Sequence, residues 1–287
     1  MSFVKILAPL TGTPHDEAVL AGAVAAALPF GAHVAALFVR PDPALGVPFY
    51  GDGVSGAVVQ EVMDASRDAA DKASQAARAT LDKLAKATAI AVTDGCSKHD
   101  TPTVSFQEVL GPFADCVTRA ARLSDLVVFA APKEDERAGI TEGIEATLLE
   151  ARRPVLLCAR AIPPGFADNI VIGWNASVQS AQAVTAALPL LKRAKRVEIL
   201  SVEKDGPCVE CGEIVEYLSL HGIAAGTREE KAGTRPIAEL LLDGAVQSGA
   251  GLLVLGGYGH SRWRELFTGG ITRYAITHAD LPLFLVH

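Results

Sequence analysis

Positive charge is scarce in this sequence. There are 26 Lys and Arg against 33 Asp and Glu, a formal net charge of −7, so a general electrostatic pull toward nucleic acid or anionic lipid is missing. No nucleic-acid partner is expected. An unbroken apolar run of membrane-spanning length is also lacking: residues 18 to 39 carry no formal charge, but they are Ala-rich, broken by Pro29 and Gly31, and include His33. A helix, a turn and a buried strand describe them better than one span, so no membrane partner is expected. The opening residues have no basic region followed by an apolar core and cleavage site, and the expected location is the cytoplasm. The cysteines, Cys96, Cys116, Cys158, Cys208 and Cys211, are odd in number. Without an export signal they read as thiols rather than as a disulfide framework.

What is present is a chain able to build a large core. Hydrophobic residues make up 49% and charged residues 21% of 287 positions, a soluble globular composition with room for one large core or two domains. The chain also reads twice. "VKILAPLTGTPHDEAVLAGAVAAAL" near the start has the plan of "NIVIGWNASVQSAQAVTAALPLL" from Asn169: apolar strand, small polar turn, Ala-rich helix. Further on, "SDLVVFAAP" matches "AGLLVLGGY", and "RRPVLLCAR" matches "DLPLFLVH". Three matches in the same order indicate duplication.

Each half alternates β-rich runs with helical stretches, the pattern of βαβ units around a parallel sheet covered on both faces. In the second half, strands are expected near residues 170 to 174, 196 to 202, 224 to 229, 251 to 256 and 282 to 287. The first half carries an insertion after Val39: a Pro/Gly-rich loop, "PDPALGVPFYGDGVSG", and then a long Ala-rich helix. Its apolar positions Val59, Val62, Ala69, Ala73, Ala76 and Leu84 fall near helical period and predict a packing or capping face. "ARAIPPGFADN", with its Pro-Pro-Gly core, reads as a linker between domains at 1–160 and 168–287.

The densest functional signal is "LLVLGGYGHSRWRELFTGGITRYAI", where a fully apolar strand runs into Gly256, Gly257 and Gly259, then Gly269 and Gly270. Ligands of open parallel sheets sit beyond the strands' carboxyl ends. Glycines there let main-chain N–H groups approach a ligand, and a helix starting near Ile271 would turn its N-terminus toward an anion. Phosphate is the natural occupant. The spacing is neither G-x-G-x-x-G nor G-x-x-x-x-G-K-[ST], so neither of those mechanisms applies.

The strand "LLVLG", the G-x2-G-x9-G spacing at Gly256, Gly259 and Gly269, the filling "GHSRWRELFTGG" and the closing "ADLPLFLV" resemble the universal stress proteins, here in tandem form. The repeated βαβ plan extends the likeness over nearly the whole chain, more strongly in the second half. The resemblance implies an α/β fold of two tandem, open, five-stranded parallel-sheet domains with helices on both faces, the adenine nucleotide alpha hydrolase-like fold. It also implies stress response as the role and ATP, with or without Mg, as the ligand. Carried over by position, Gly173 and Asn175 follow the first strand, with Asn175 toward the ribose, and Val202 packs on adenine. Gly256 sits near ribose, and Gly259, Gly269, Gly270 and Ile271 offer backbone donors to phosphate.

The chain departs from that family at two places. Asn175 replaces the usual Asp, so it can hydrogen-bond a ribose hydroxyl but brings no charge. Gly270 replaces a Ser or Thr, and Thr268 or Thr272 is left to supply the hydroxyl. Arg262 and Arg264 either pair with phosphate or form a solvated basic loop. His260 has no carboxylate partner that would make it a general base.

The first half lacks these glycines: Ala130, Ala131 and Pro132 follow its strand, Glu134, Asp135 and Glu136 come next, and Thr11 stands at the family's acidic position. The first domain is therefore expected to pair with its sister rather than to bind ATP, unless its pocket has been reworked for another ligand. A homodimer is the other pairing left open. Cys208-x2-Cys211 opens a helix, and unspecialised thiols, a redox pair and a metal site all remain open there, although zinc would need two further ligands. Three functions follow: a nucleotide-binding stress protein acting by conformational change or through an unidentified protein partner, a slow ATPase at the same loop, or a redox or interaction module with a vestigial nucleotide site.

Overall fold

A computed structural model describes residues 2–42, 56–95, 101–132, 139–158, 162, 165–203, 209–257 and 279–287. The first half runs β1 Lys5–Leu10, α1 Asp16–Ala27, β2 His33–Arg40, α2 Gly56–Thr88, β3 Ala91–Thr93, β4 Thr103–Leu110, α3 Phe113–Ala121, β5 Leu126–Ala130, α4 Ile140–Leu149 and β6 Val155–Cys158. The second runs β7 Asn169–Gly173, α5 Val178–Leu191, β8 Arg196–Glu203, α6 Gly212–Leu220, β9 Ala225–Lys231, α7 Ile237–Gln247, β10 Leu252–Gly256 and β11 Leu283–Val286.

The strands form one sheet in the order β3-β4-β2-β1-β5-β6-β11-β10-β7-β8-β9. From each outer edge inward, β4-β2-β1-β5-β6 and β9-β8-β7-β10-β11 repeat the same order. Within each half the ladders are parallel. The halves meet where β6 pairs antiparallel with β11, Leu156 opposite Phe284. The two tandem five-stranded parallel units expected are both present, and their inner edges join into a single sheet of eleven strands, with the short β3 added beyond β4. Pairing β6 with β11 leaves neither half an open inner edge, which would otherwise present unpaired backbone groups.

Burial explains the strand sequences. β1, β2, β5 and β10 are almost continuously apolar because both faces are covered. One core cluster lies beneath α1, α2, α5 and α6, the other beneath α3, α4 and α7, and each draws residues from both halves. The outer strand β9 is different: Arg228, Glu229, Glu230 and Lys231 make it a charged edge, which discourages pairing with another chain.

Helix α2 packs along part of the expected face. Ala70, Ala77, Leu81 and Ala85 are buried and the expected Ala73 and Leu84 pack half-buried against the core, whereas Ala69 and Ala76 are exposed and Val62 lies out in solvent. Small apolar residues on adjoining positions of a helix this Ala-rich do not by themselves distinguish which neighbouring stripe meets the sheet. No helix among the described residues is long and apolar enough to cross a membrane.

Candidate functional site

In the second half the chain leaves β7 toward β8 on one side and later returns to β10 on the other, which makes the carboxyl ends of β7 and β10 a topological switch point. Gly173 ends β7 and Gly256 ends β10. Gly173 pairs with Leu200, so continuing the register by two places brings Asn175 level with Val202. The structure therefore gathers Gly173, Asn175, Val202 and Gly256 at one end of three adjacent strands. Gly259, Arg262, Gly269, Gly270, Ile271 and Thr272 lie outside the described residues, as do His260, Arg264 and Cys208.

The turn after β7 is wired by its own side chains. Asn175 Oδ1 accepts from the Ser177 amide at 3.2 Å and from Ser177 Oγ at 2.7 Å, while Ser177 caps α5 by accepting from the Ser180 amide at 3.2 Å. Ala176 sits between them at φ 54°, a left-handed conformation held by these flanking bonds. The exposed Asn175 thus spends its acceptor on the turn, and what it can offer a ligand is its N–H2 group.

Gly256 has a packing reason to be glycine. A Cβ there would stand 2.3 Å from the Gln179 carbonyl carbon and 2.4 Å from the Ser180 nitrogen, so the first turn of α5 can rest on the strand end only if the side chain is missing. Val202 is only 5% exposed and belongs to the core cluster beneath α7, which leaves little of its surface for a ligand ring.

Two residues at this end were not anticipated. Trp174 N donates to Leu200 O at 2.9 Å, and the register places Trp174 beside Ser201 on the next strand. Trp174 Nε1 and Ser201 Oγ are both buried without a hydrogen-bond partner among the described residues, and Ser201 is 0% exposed. A buried polar group left unsatisfied costs about 1–3 kcal/mol, so an adjacent pair is an unusual expense for a structural core. No sequence pattern announces it, because a Trp after a strand and a Ser within one read as ordinary.

The corresponding turn of the first half is built otherwise. Asp16, 1% exposed at the start of α1, accepts from the Thr11 amide at 2.9 Å and the Gly12 amide at 2.8 Å. Burial is the main influence on this carboxyl and raises its pKa above 3.8, against the opposing effect of the two amides. Helix α2 lies directly over the turn: a Cβ on Gly12, which has φ 77°, would stand 2.4 Å from Ala73 O. Asp16 was not singled out from the sequence, because an acid in the first turn of a helix usually faces water.

Cys211 is the N-cap of α6 and is buried, with Sγ 3.6 Å from Val209 O. Among the described residues no cluster of three or more His, Cys, Asp or Glu side chains is arranged to hold a metal ion.

Solved structures repeat this architecture over the full chain. A universal stress protein from Archaeoglobus fulgidus superposes with a TM-score of 0.63 at 14% identity, covering 98% of this chain and 95% of its own. The chain has the universal stress protein fold. A putative universal stress protein from Pseudomonas aeruginosa gives a TM-score of 0.57 at 14% identity, with 99% and 93% covered. A functionally unknown protein from the same species also gives 0.57, at 13% identity, with 99% and 92% covered. No protein-family model and no curated protein matches the sequence. The fold is shared at this low identity, as expected when the ladder is made of backbone bonds and the faces need only be apolar.

Proposed function

We propose that this chain is a universal stress protein whose second half binds ATP at the switch point between β7 and β10, with its output carried by conformational change or a protein partner. The supporting observation is the convergence there of Gly173, Asn175 and Gly256, at the point from which the glycine-rich segment departs. In this reading the Asn175 N–H2 group donates to a ribose hydroxyl. The N–H groups of Gly259, Gly269, Gly270 and Ile271 receive the phosphates, and Arg262 and Thr272 add side-chain donors. Mg would neutralise part of the phosphate charge. The division of labour between a pairing domain at 1–160 and a nucleotide domain at 168–287 belongs to the same proposal.

Acid release and chromatography of ligand from freshly purified protein, followed by calorimetry with Mg-ATP, tests it. Binding at one site per chain is expected. Gly259→Val and Gly269→Val should abolish that heat while leaving circular dichroism unchanged. Unaltered affinity in both variants removes the assignment. A timed assay for ADP, with the same variants as controls, decides whether the bound nucleotide turns over.

A further inference from the structure

The crevice of the first half is a built cavity, and its chemistry is the reverse of a phosphate site. It encloses about 670 Å³ at the carboxyl ends of β1 and β2, inside the roughly 300–1,000 Å³ typical of small-molecule sites. Phe38, Val39, Phe113 and Ile140 supply apolar walls, and Ala70 belongs to α2, which forms the roof. Thr11 marks the β1 end. Among the described residues, Asp42 is the only charged one in the lining.

Three main-chain donors at this crevice already have carboxylate acceptors of their own. The Thr11 and Gly12 amides are held by Asp16, and the Gly139 amide at the start of α4 is capped by Glu142. Asp16 is buried beneath the turn, so an incoming phosphate would meet negative charge without gaining those amides. The strand register sharpens the contrast. Leu10 pairs with Phe38 where the second half sets Trp174 beside Ser201, so an apolar pair stands in place of two unsatisfied polar groups. Helix α2, 33 residues long, roofs the site where the second half has only the nine-residue α6 between the equivalent strands.

We propose that this crevice binds an uncharged, largely apolar small molecule rather than a nucleotide. The inference stands independently of ATP binding in the second half. A matched pair of dyes tests it on the full-length protein: N-phenyl-1-naphthylamine, which is neutral, and 1-anilinonaphthalene-8-sulfonate, a closely similar ring system with a negative charge. The neutral dye should bind saturably at one site per chain, about ten-fold more tightly than the sulfonate, because the anion loses hydration against apolar walls and the Thr11, Gly12 and Gly139 amides are already taken. Ala69→Trp, at an exposed α2 position that lines the cavity, should weaken the neutral dye by about ten-fold by filling its space. Ser66→Trp serves as a second blocking variant should the first disturb folding. Ala76→Trp, at an exposed α2 position outside the cavity lining, should bind as the wild type does. Absence of saturable binding, equal affinity for the sulfonate, indifference to both blocking variants, or displacement of the dye by Mg-ATP would each overturn the proposal.

Discussion

After β1 the chain turns through Thr11 and Gly12, whose amides go to a buried carboxylate four to five residues on; after β7 it turns through Asn175 and Ala176, fastened by Ser177 instead. The two turns occupy equivalent places in the strand order, and both pass through a left-handed residue, Gly12 or Ala176. Their electrostatics are opposite. One end supplies its own anion and closes over with an amphipathic helix, while the other leaves an amide N–H2 group and two buried polar atoms unengaged among the described residues. Strand pairing tolerates this divergence because the ladder depends on backbone groups. The strand ends carry no such obligation and are free to change chemistry.

The seam offers the sharpest way to break the comparison. Phe284 is fully buried between the halves, and Phe284→Ala should cost about 3–5 kcal/mol through the cavity it leaves. Urea unfolding followed by circular dichroism should show one transition for the wild type, since both core clusters cross the seam. Two separated transitions in the wild type would mean that the halves are energetically independent.

Asp16→Ala comes next, at about 1–3 kcal/mol, because it strands the Thr11 and Gly12 amides. Its pH dependence has a definite sign. Burial raises the folded carboxyl above 3.8, so the folded chain holds this proton more tightly than the unfolded chain does. The contribution of Asp16 is then greatest below that value and declines as pH rises through the folded pKa. The gap in urea midpoint between wild type and Asp16→Ala should be wider in acid than at neutral pH. A gap that widens toward neutral pH would show that the two amides outweigh burial.

Exchanging the strand-end residues sharpens the contrast between the halves. Gly256 and Ala130 hold corresponding positions, pairing with Val286 and Cys158 respectively. Gly256→Ala should destabilise by about 1–3 kcal/mol by pushing α5 off the strand, whereas Ala130→Gly should cost only about 1 kcal/mol. Equal effects by thermal melting would refute the packing account of Gly256.

The smallest effect is expected at Cys158, whose counterpart is Val286. Burial pushes its thiol up to about 12, so it should resist iodoacetamide at neutral pH until the protein unfolds, as read by mass spectrometry. Cys158→Val should change stability by less than about 1.5 kcal/mol.

Much of this architecture could be read along the chain. The expected second-half strands overlap β7 through β11, because continuous apolar runs between Ala-rich helical stretches have few other solutions. The clustering of Gly173, Asn175, Val202 and Gly256 at one end of the sheet was implied by the resemblance to the universal stress proteins, carried over position by position. The reason for Gly256 was not, since the α5 backbone that crowds it lies far from it in sequence. Trp174 and Ser201 escaped notice for a related reason: a missing hydrogen bond is a property of surroundings, not of residue type. The α2 face was placed only in part, at Ala73 and Leu84, because neighbouring alanines are interchangeable until a surface selects among them.

Local chemistry alone settled the kinds and sequence of elements in this chain: apolar runs too short for helices, turns rich in small polar residues, and an alternation that permits only parallel crossovers. Tertiary structure alone decided that β6 and β11 would join the halves into one sheet, that Asp16 would fold back under the first turn, and that α2 would roof one crevice only. Those outcomes depend on which distant backbone or carboxylate reaches a given donor, and pairing across such separations is not encoded by any single stretch of residues.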